Sequence, residues 1–324
     1  MRILLTGSSG WLGRTLAPRL RRAGHDVTGL DVAPGAATDV IGSVCDGALV
    51  ARVLAEHGIE AIIHAGGLHK PDIVRAMRQD FVDVNVTGTL TLLEAALAAG
   101  HDRFVFTSTT SLMISEAIRA ETGEATFWLD ESTGPLAPRN IYGVTKLAAE
   151  GLCRLFAREH GLACVVLRTG RFFPEEDDSD RGLTGPNLKA NEFLNRRLTV
   201  EDAAEAHLAA LDRAPSLGFG LYVVAAPTPF RRSDAAELCR DAAAVVARLY
   251  PDATDLYAAR GWRLPSRIGR VYDAALAERD LGFRCRTTFA TILDALREER
   301  DLPFAHDPAY ASPWATHSAG GVYR

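Results

Sequence analysis

Tyr142 and Lys146 are four residues apart in the run Tyr-Gly-Val-Thr-Lys, a separation that on a helix puts both side chains on one face, one turn apart. A tyrosine with its ordinary pKa near 10 cannot act as a base at neutral pH, but a lysine ammonium beside it stabilises the phenolate and brings it into range. Such a pair could take the proton of a substrate hydroxyl while hydride leaves the same carbon. The chain has only three lysines, Lys70, Lys146 and Lys189, among 36 basic residues, so a lysine at this spacing carries more weight than an arginine would.

A second constellation lies at the N-terminus. Gly7, Gly10 and Gly13 follow the apolar run 2–6 and precede a helix-period segment. There a glycine-rich turn can lay backbone amides against a pyrophosphate at a helix N-terminus. The spacing is GxxGxxG. Asp31 ends the next β-rich run, 18 residues after Gly13, close to the distance expected for the acid that holds the adenosine ribose hydroxyls. A carboxylate there repels a 2′-phosphate, and with no arginine at 32 or 33 the expected cofactor is NAD.

These groups need a frame. Short apolar runs at 2–6, 27–31, 39–41, 61–65, 103–108, 163–168 and 221–225 alternate with helix-period segments at about 11–23, 46–57, 73–99, 140–160 and 200–213. Each run is nearly all apolar inside, as strands covered on both faces are, and the rhythm predicts an α/β doubly wound parallel sheet of Rossmann type. The expected organisation is a nucleotide-binding domain over 1–170, completed by about 198–226. A small mixed α/β substrate cap is expected from 171–197 plus about 227–310, with further helices at 233–248 and 287–299. The tail after Pro303, and 311–324 in particular, is expected to be loosely held.

The 324 residues carry 36 basic and 41 acidic side chains, a formal charge of −5, and 47% are hydrophobic. That balance gives no electrostatic footprint for nucleic acid or an anionic membrane and points to small-molecule chemistry. Five cysteines without a CxxC pair fit neither a disulfide framework nor a zinc site, so a reducing cytoplasm and no metal are expected. The acidic run 175–180 reads as a solvated loop rather than a metal site. With no uninterrupted apolar run of 18 residues, a soluble, unprocessed chain is expected.

With these residues in view, the chain resembles the extended short-chain dehydrogenases/reductases, also called NAD-dependent epimerases/dehydratases. The resemblance runs from residue 2 to about 300. It rests on TGSSGWLG at 6–13, Asp31, HAGG at 64–67, NVTGT at 85–89, FVFTSTTS at 104–111, YGVTK at 142–146, LRTGRFFP at 167–174 and LTVEDAAEAHLAAL at 198–211. It implies that Thr109 hydrogen-bonds the reacting hydroxyl beside Tyr142 and that Lys146 also holds the nicotinamide ribose. Ser9, Trp11 and Leu12 of the turn, then Ala65, Gly66 and Gly67, would line the cofactor, with Thr107 on the nicotinamide side and Asn85 supporting the active-site loops. Ser43 and Val44 stand where the family has an adenine-contacting Asp-Leu pair, so Ser43 is a departure. His64 is expected to be a packed strand-end residue, while His69 and Lys70 are substrate-contact candidates.

Three departures bear on the reaction. Thr110 and Ser111 replace the Asp-Glu pair of the family's dehydratases, which disfavours dehydration and leaves Thr110 as a substrate contact. Arg171 stands where nucleotide-sugar enzymes usually have Asn, and a guanidinium there could clamp a carboxylate or phosphate. Only about 20 residues separate Pro174 from the LTVED segment, a short cap that also resembles the family's uronate dehydrogenases. The expected function is therefore NAD-dependent oxidation of a carbinol of a sugar or sugar-derived substrate, foremost as a sugar epimerase. The alternatives are a dehydrogenase of a small hydroxy or keto compound such as a free uronic acid, and a non-catalytic NAD sensor. A homodimer through 80–99 and 140–160 is compatible with the apolar faces there.

Overall fold

The computed structural model describes residues 1–176 and 182–312. The stretch 177–180 of the acidic run and the tail 313–324 lie outside the described residues. Seven strands pair in parallel: β1 (Arg2–Thr6), β2 (Asp26–Asp31), β3 (Val40–Ile41), β4 (Ala61–His64), β5 (Arg103–Thr109), β7 (Ala163–Thr169) and β8 (Phe219–Val224), in the order β3-β2-β1-β4-β5-β7-β8. The order reverses between β1 and β4, and the crevice at the carboxyl ends of these two strands is where open α/β sheets bind ligands. This is the doubly wound sheet expected from the sequence.

Alternation along each strand divides the core. Ile3, Leu5, Ile63, Val105, Val165 and Leu167 face one layer, with α1 (Trp11–Arg22) and α8 (Val200–Leu217). Leu4, Ile62, Phe104, Phe106 and Val166 face the other, with α2 (Gly47–Glu56), α4 (Gly88–Ala98) and α6 (Ile141–His160). Each side chain of this size adds about 1.5–3 kcal/mol on burial, so both sheet faces demand helices and the strand ends are held rigidly.

The single helix expected over 73–99 is instead broken. A short 3-10 helix spans Lys70–Val74, α3 runs Arg78–Val82, a π turn spans Asp83–Thr87, and α4 follows. Pro71 sits in the first turn of the 3-10 helix, where its missing N–H costs nothing. The continuous run Arg78–Ala98 has a window of mean hydropathy 1.3, long and apolar enough to be compared with a membrane span. Its Phe81, Leu92, Leu93 and Ala96 are buried within this fold.

A second layer of structure lies beyond the strand ends. Helices α5 (Glu116–Ala120), α7 (Gly185–Glu192), α9 (Ala235–Leu249), α10 (Ala253–Ala259), α11 (Ala275–Leu281) and α12 (Phe289–Arg297) occupy this part of the chain, with strands β6 (Phe127–Leu129) and β9 (Arg270–Tyr272). One apolar cluster here joins Ala190, Phe193 and Leu194 to residues from Ala226 to Leu296. β6 and β9, neither expected from the sequence, form a separate parallel pair in the register Phe127↔Arg270 and Leu129↔Tyr272. With a strand period of two, Arg270 and Tyr272 share one face while Val271 enters the apolar cluster. The stretch 303–312 is tied down rather than loose: Asp307 N donates to Pro174 O at 2.9 Å, and the Tyr310 ring meets Trp11 at 5.3 Å.

Candidate active site

A cavity of about 570 Å³ runs along the switch point from the glycine turn to β9. Its first wall is the turn after β1. Gly7 has φ +71°, and a Cβ there would lie 2.6 Å from Gly66 N, so the turn after β1 and the loop after β4 can approach only without side chains. A Cβ on Gly13 would strike the Gly7 carbonyl oxygen and Ser8 Cα. Helix α1 begins at Trp11 with Gly10 as its N-cap and no side-chain cap, leaving its first amides for a ligand or water.

Asp31 faces this turn. Its Oδ2 accepts from Ser9 N and its Oδ1 from Ala33 N, both at 3.0 Å, so the carboxylate ties the end of β2 to the glycine turn while lining the cavity beside Val32, Gly42 and Val44. Gly7, Gly10, Trp11, Leu12, Gly13, Ala65, Gly66, Gly67 and Thr107 line it as well. Ser9, Ser43 and Asn85 stand behind the wall. Ser9 Oγ donates to Ala33 O at 2.7 Å, and Ser43 Oγ accepts from Cys45 N at 3.1 Å. The Ser43 hydroxyl thus closes a local turn, and the Ser9 hydroxyl ties the glycine turn to the loop after β2. The Asn85 amide takes Leu68 N at 2.9 Å and gives to Leu68 O at 3.0 Å and Thr145 Oγ1 at 3.1 Å. The π turn over 83–87 sets Asn85 at this position, a common use of such bulges.

Beneath the same wall a hydrogen-bond chain runs from Gly66 N to Thr6 Oγ1, His64 Nδ1, His64 Nε2 to Thr89 Oγ1, and on to Asn85 O, with links of 2.7–3.2 Å. The chain closes with His64 neutral and its hydrogen on Nε2. Burial, with the Lys146 charge adding, pushes His64 down to about 3. His207 behaves likewise: Nδ1 bonds Ala203 O and Nε2 accepts from Thr107 Oγ1, each at 2.7 Å, and burial lowers it to about 4.

The reactive groups sit at the strand ends. Asn140 caps α6 by accepting from Gly143 N at 3.0 Å, which fixes the helix start and puts Tyr142 and Lys146 one turn apart on its buried face. Thr109, at the end of β5, lines the same cavity as Tyr142, and its hydroxyl accepts from Ser111 N at 3.1 Å. Lys146 Nζ donates to Thr107 O at 2.8 Å and lies 4.4 Å from the Phe106 ring centroid. Burial pushes Tyr142 up to about 12, with Asp72 adding and the Thr109 hydroxyl opposing. Burial lowers Lys146 to about 8 against the pull of Cys153 and Glu150. The drop in the Tyr142 pKa expected from the lysine is absent in the protein alone, where burial of the phenolate sets the direction.

One supporting group escaped the sequence reading. Glu150, one turn beyond Lys146, takes Ser108 Oγ at 2.6 Å and the Arg168 guanidinium at 2.7–3.2 Å, with both charged side chains about 5% exposed or less. This pair pins α6 to β5 and β7 under Thr109. A charge at one helical turn from the lysine was the signal available.

At the far end the wall is made of side chains. Thr110 donates to Thr169 O at 3.3 Å, and His69, Lys70, Thr109, Thr110 and Arg171 all line the cavity. Glu192, Arg196, Arg270, Tyr272 and Tyr310 join them, none expected from the sequence. Burial alone would raise Glu192, but Arg196, Arg197 and Arg171 hold it at about 2. Arg270 pairs with Glu121, and its Nε is buried without a hydrogen-bond partner among the described residues. Glu175 and Glu176 line the rim, and the rest of that acidic run lies outside the described residues.

Comparison with known proteins follows the same division. The model of the NAD dependent epimerase/dehydratase family matches residues 3–190. The chain is similar to UDP-glucose 4-epimerase of Azospirillum brasilense, 32% identical over 180 residues, covering 52% of this chain and 48% of that protein. It is 34% identical to L-arabinose 1-dehydrogenase (NAD(P)(+)) of Haloferax volcanii over 174 residues, covering 52% of this chain and 66% of that one. The chain thus spans about half to two thirds of the length of these relatives. Among solved structures it resembles a short-chain dehydrogenase/reductase superfamily protein of Agrobacterium tumefaciens with bound NAD, at 25% identity and TM-score 0.65, covering 92% of this chain and 98% of that one. The matched span, more than half of the chain, reaches from β1 past Tyr142, Lys146 and Arg171 to α7, and by it the chain belongs to the NAD dependent epimerase/dehydratase family.

Proposed function

We propose that the chain is an NAD-dependent oxidoreductase of the extended short-chain type that oxidises a secondary carbinol of a sugar or sugar-derived substrate. The observation that carries this reading is that Tyr142, Thr109 and Lys146 line one cavity with the glycine turn, Lys146 standing one helical turn from Tyr142. The glycine cradle fits the cofactor: where a side chain would collide, the wall is bare backbone, and the α1 amides are uncapped. Gly7, Gly10, Gly13 and Trp11 would hold the pyrophosphate, Asp31 the adenosine ribose, Ala65 to Gly67 and Thr107 the nicotinamide half. Bound NAD supplies a hydride acceptor.

Thr109 orients the substrate hydroxyl, and Tyr142 Oη takes its proton once ionised. Lys146, charged below about pH 8, supplies the positive field that favours the phenolate. Arg171 binds an acidic group at the far end. Epimerisation follows if the same carbinol is re-formed with inverted configuration; we take this as the primary reading for a sugar substrate. Net dehydrogenation of a free sugar or sugar acid is the second reading, favoured by the similarity to an arabinose dehydrogenase and by the short segment between Pro174 and α8.

One assay tests both. The protein is incubated with NAD and free sugars, uronic acids or nucleotide sugars, and NADH and configuration are followed together. An epimerase scrambles configuration without accumulating NADH, and a dehydrogenase forms NADH in step with product. Tyr142→Phe is expected to lower kcat by about 1,000-fold while leaving NADH affinity within about threefold. Turnover at the wild-type rate in that variant removes the tyrosine mechanism.

A further inference from the structure

The loop after β4 holds a pair of side chains that the mechanism above does not use. His69 begins the 3-10 helix Lys70–Val74, and Asp72 lies three residues on. Asp72 Oδ2 accepts from His69 N at 2.8 Å and from the ring Nδ1 at 2.7 Å. A carboxylate only accepts, so Nδ1 carries the hydrogen, and Nε2 is the ring atom left to meet a ligand. Nε2 has no hydrogen-bond partner among the described residues. The ring is also clamped: it stacks on Phe173 at 4.8 Å and 19°, and Phe173 stacks on Phe172 at 4.7 Å.

His69, Asp72 and Phe173 line the same cavity as Tyr142 and Thr109, and Asp72 is near enough to Tyr142 to act on it electrostatically. Capping the short helix requires only one carboxylate oxygen and the His69 backbone. Here the Asp72 side chain is 1% exposed, and Oδ1 is buried without a hydrogen-bond partner among the described residues, an arrangement that is costly and that helix capping alone does not call for. The pair thus holds an imidazole in one tautomer and one plane facing the substrate space.

We infer that His69 reads a substrate hydroxyl other than the reacting one, accepting its hydrogen at Nε2, with Asp72 as the positioning residue, so that the site selects polyhydroxylated substrates over apolar alcohols. The inference rests on the substrate end of the cleft proposed above and gives that end a recognition element. A site built to bond a hydroxyl rejects an analogue lacking it, because the buried acceptor is then left bare.

The test uses a matched pair of ring carboxylates, D-glucuronate and cyclohexanecarboxylate, titrated calorimetrically into the NADH-loaded protein and into the protein alone. Wild type is expected to prefer glucuronate by at least about tenfold. His69→Phe, which keeps the stack on Phe173 but removes the acceptor, should abolish that preference. His69→Gln should restore part of it, and Asp72→Asn should fall between, with NADH affinity unchanged in all three. Absence of a preference in wild type, or an undiminished preference in His69→Phe, overturns the role of His69. Failure of NADH to bind wild type, or full turnover in Tyr142→Phe, instead overturns the proposed oxidoreductase chemistry, and the titration without NADH still decides His69.

Discussion

At the dinucleotide end of the cleft the wall is backbone, whereas at the far end it is charged side chains. Gly7, Gly13 and Gly66 leave no room for a Cβ or approach one another too closely for one, and the polar side chains nearby, Ser9, Ser43, Asn85 and His64, all turn away to bond the protein itself. Arg171, Arg196, Arg270 and Glu192 form the other end, and most of their charge is balanced within the protein. A backbone wall recognises a ligand by shape and amide direction and has few ways to vary. A wall of charged side chains recognises a ligand by charge and hydrogen-bond geometry, and its buried pairs, Glu192 above all, tolerate loss of one partner poorly.

The largest effect expected from this contrast is at Gly13. Gly13→Val would drive a branched side chain into the Gly7 carbonyl and Ser8, and since both are backbone the turn must rebuild. NADH affinity, followed by fluorescence titration, should fall at least about 100-fold, or about 2.7 kcal/mol, while the folded fraction stays measurable by circular dichroism. Affinity within threefold of wild type would mean that the glycine turn is not the cofactor wall.

The second difference lies in the floor. His64 and His207 are neutral and sealed beneath the dinucleotide end, held at about 3 and about 4 by burial. Their folded pKa values lie below the unfolded value near 6.5, so the unfolded chain binds more protons as the pH falls through that window. The stability associated with these residues is intact above pH 6.5 and declines below it, by about 2–3 kcal/mol from each at pH 4.5. Urea unfolding at pH 7 and pH 4.5 measures the loss. His207→Gln, which can still bond Thr107, should make the decline shallower; an equal decline in that variant would locate the acid sensitivity elsewhere.

The same contrast explains what could be read from the residues alone. The glycine spacing, Asp31 and the Tyr142–Lys146 pair are local patterns, each contained in one turn or one strand-helix unit, and the sheet strands β1, β4, β7 and β8 are largely apolar runs. The far wall has no such signature. It is assembled from segments around His69, Arg171, Glu192, Arg270 and Tyr310, and it depends on the β6–β9 pairing, whose three-residue strands are too short for a period to register. Within the expected helix at 73–99, a strong apolar repeat concealed the 3-10 and π segments that place His69 and Asn85. Ser43 and Ser9 stand in the cofactor motif by sequence, and in the fold the Ser43 hydroxyl bonds within its own turn while the Ser9 hydroxyl bonds Ala33 O across the end of β2.

Arg171 gives the smallest and sharpest separation of the two ends. It lines the cavity from the bridge that joins residue 171 to residue 197, outside the glycine turn and apart from Tyr142, so removing its guanidinium alters neither the cofactor wall nor the proton acceptor. Arg171→Ala should raise KM for a sugar acid about tenfold, equivalent to about 1.4 kcal/mol, because Arg196 and Arg270 leave part of the positive field in place. The kcat and the NADH affinity should be unchanged, and KM for the corresponding uncharged sugar should not move. Arg171→Lys should recover only part of the loss, since an ammonium keeps the charge but not the two-pronged geometry. A parallel rise in KM for charged and uncharged sugars would assign Arg171 to packing of the far wall, and a fall in NADH affinity would extend the cofactor end across the boundary drawn here.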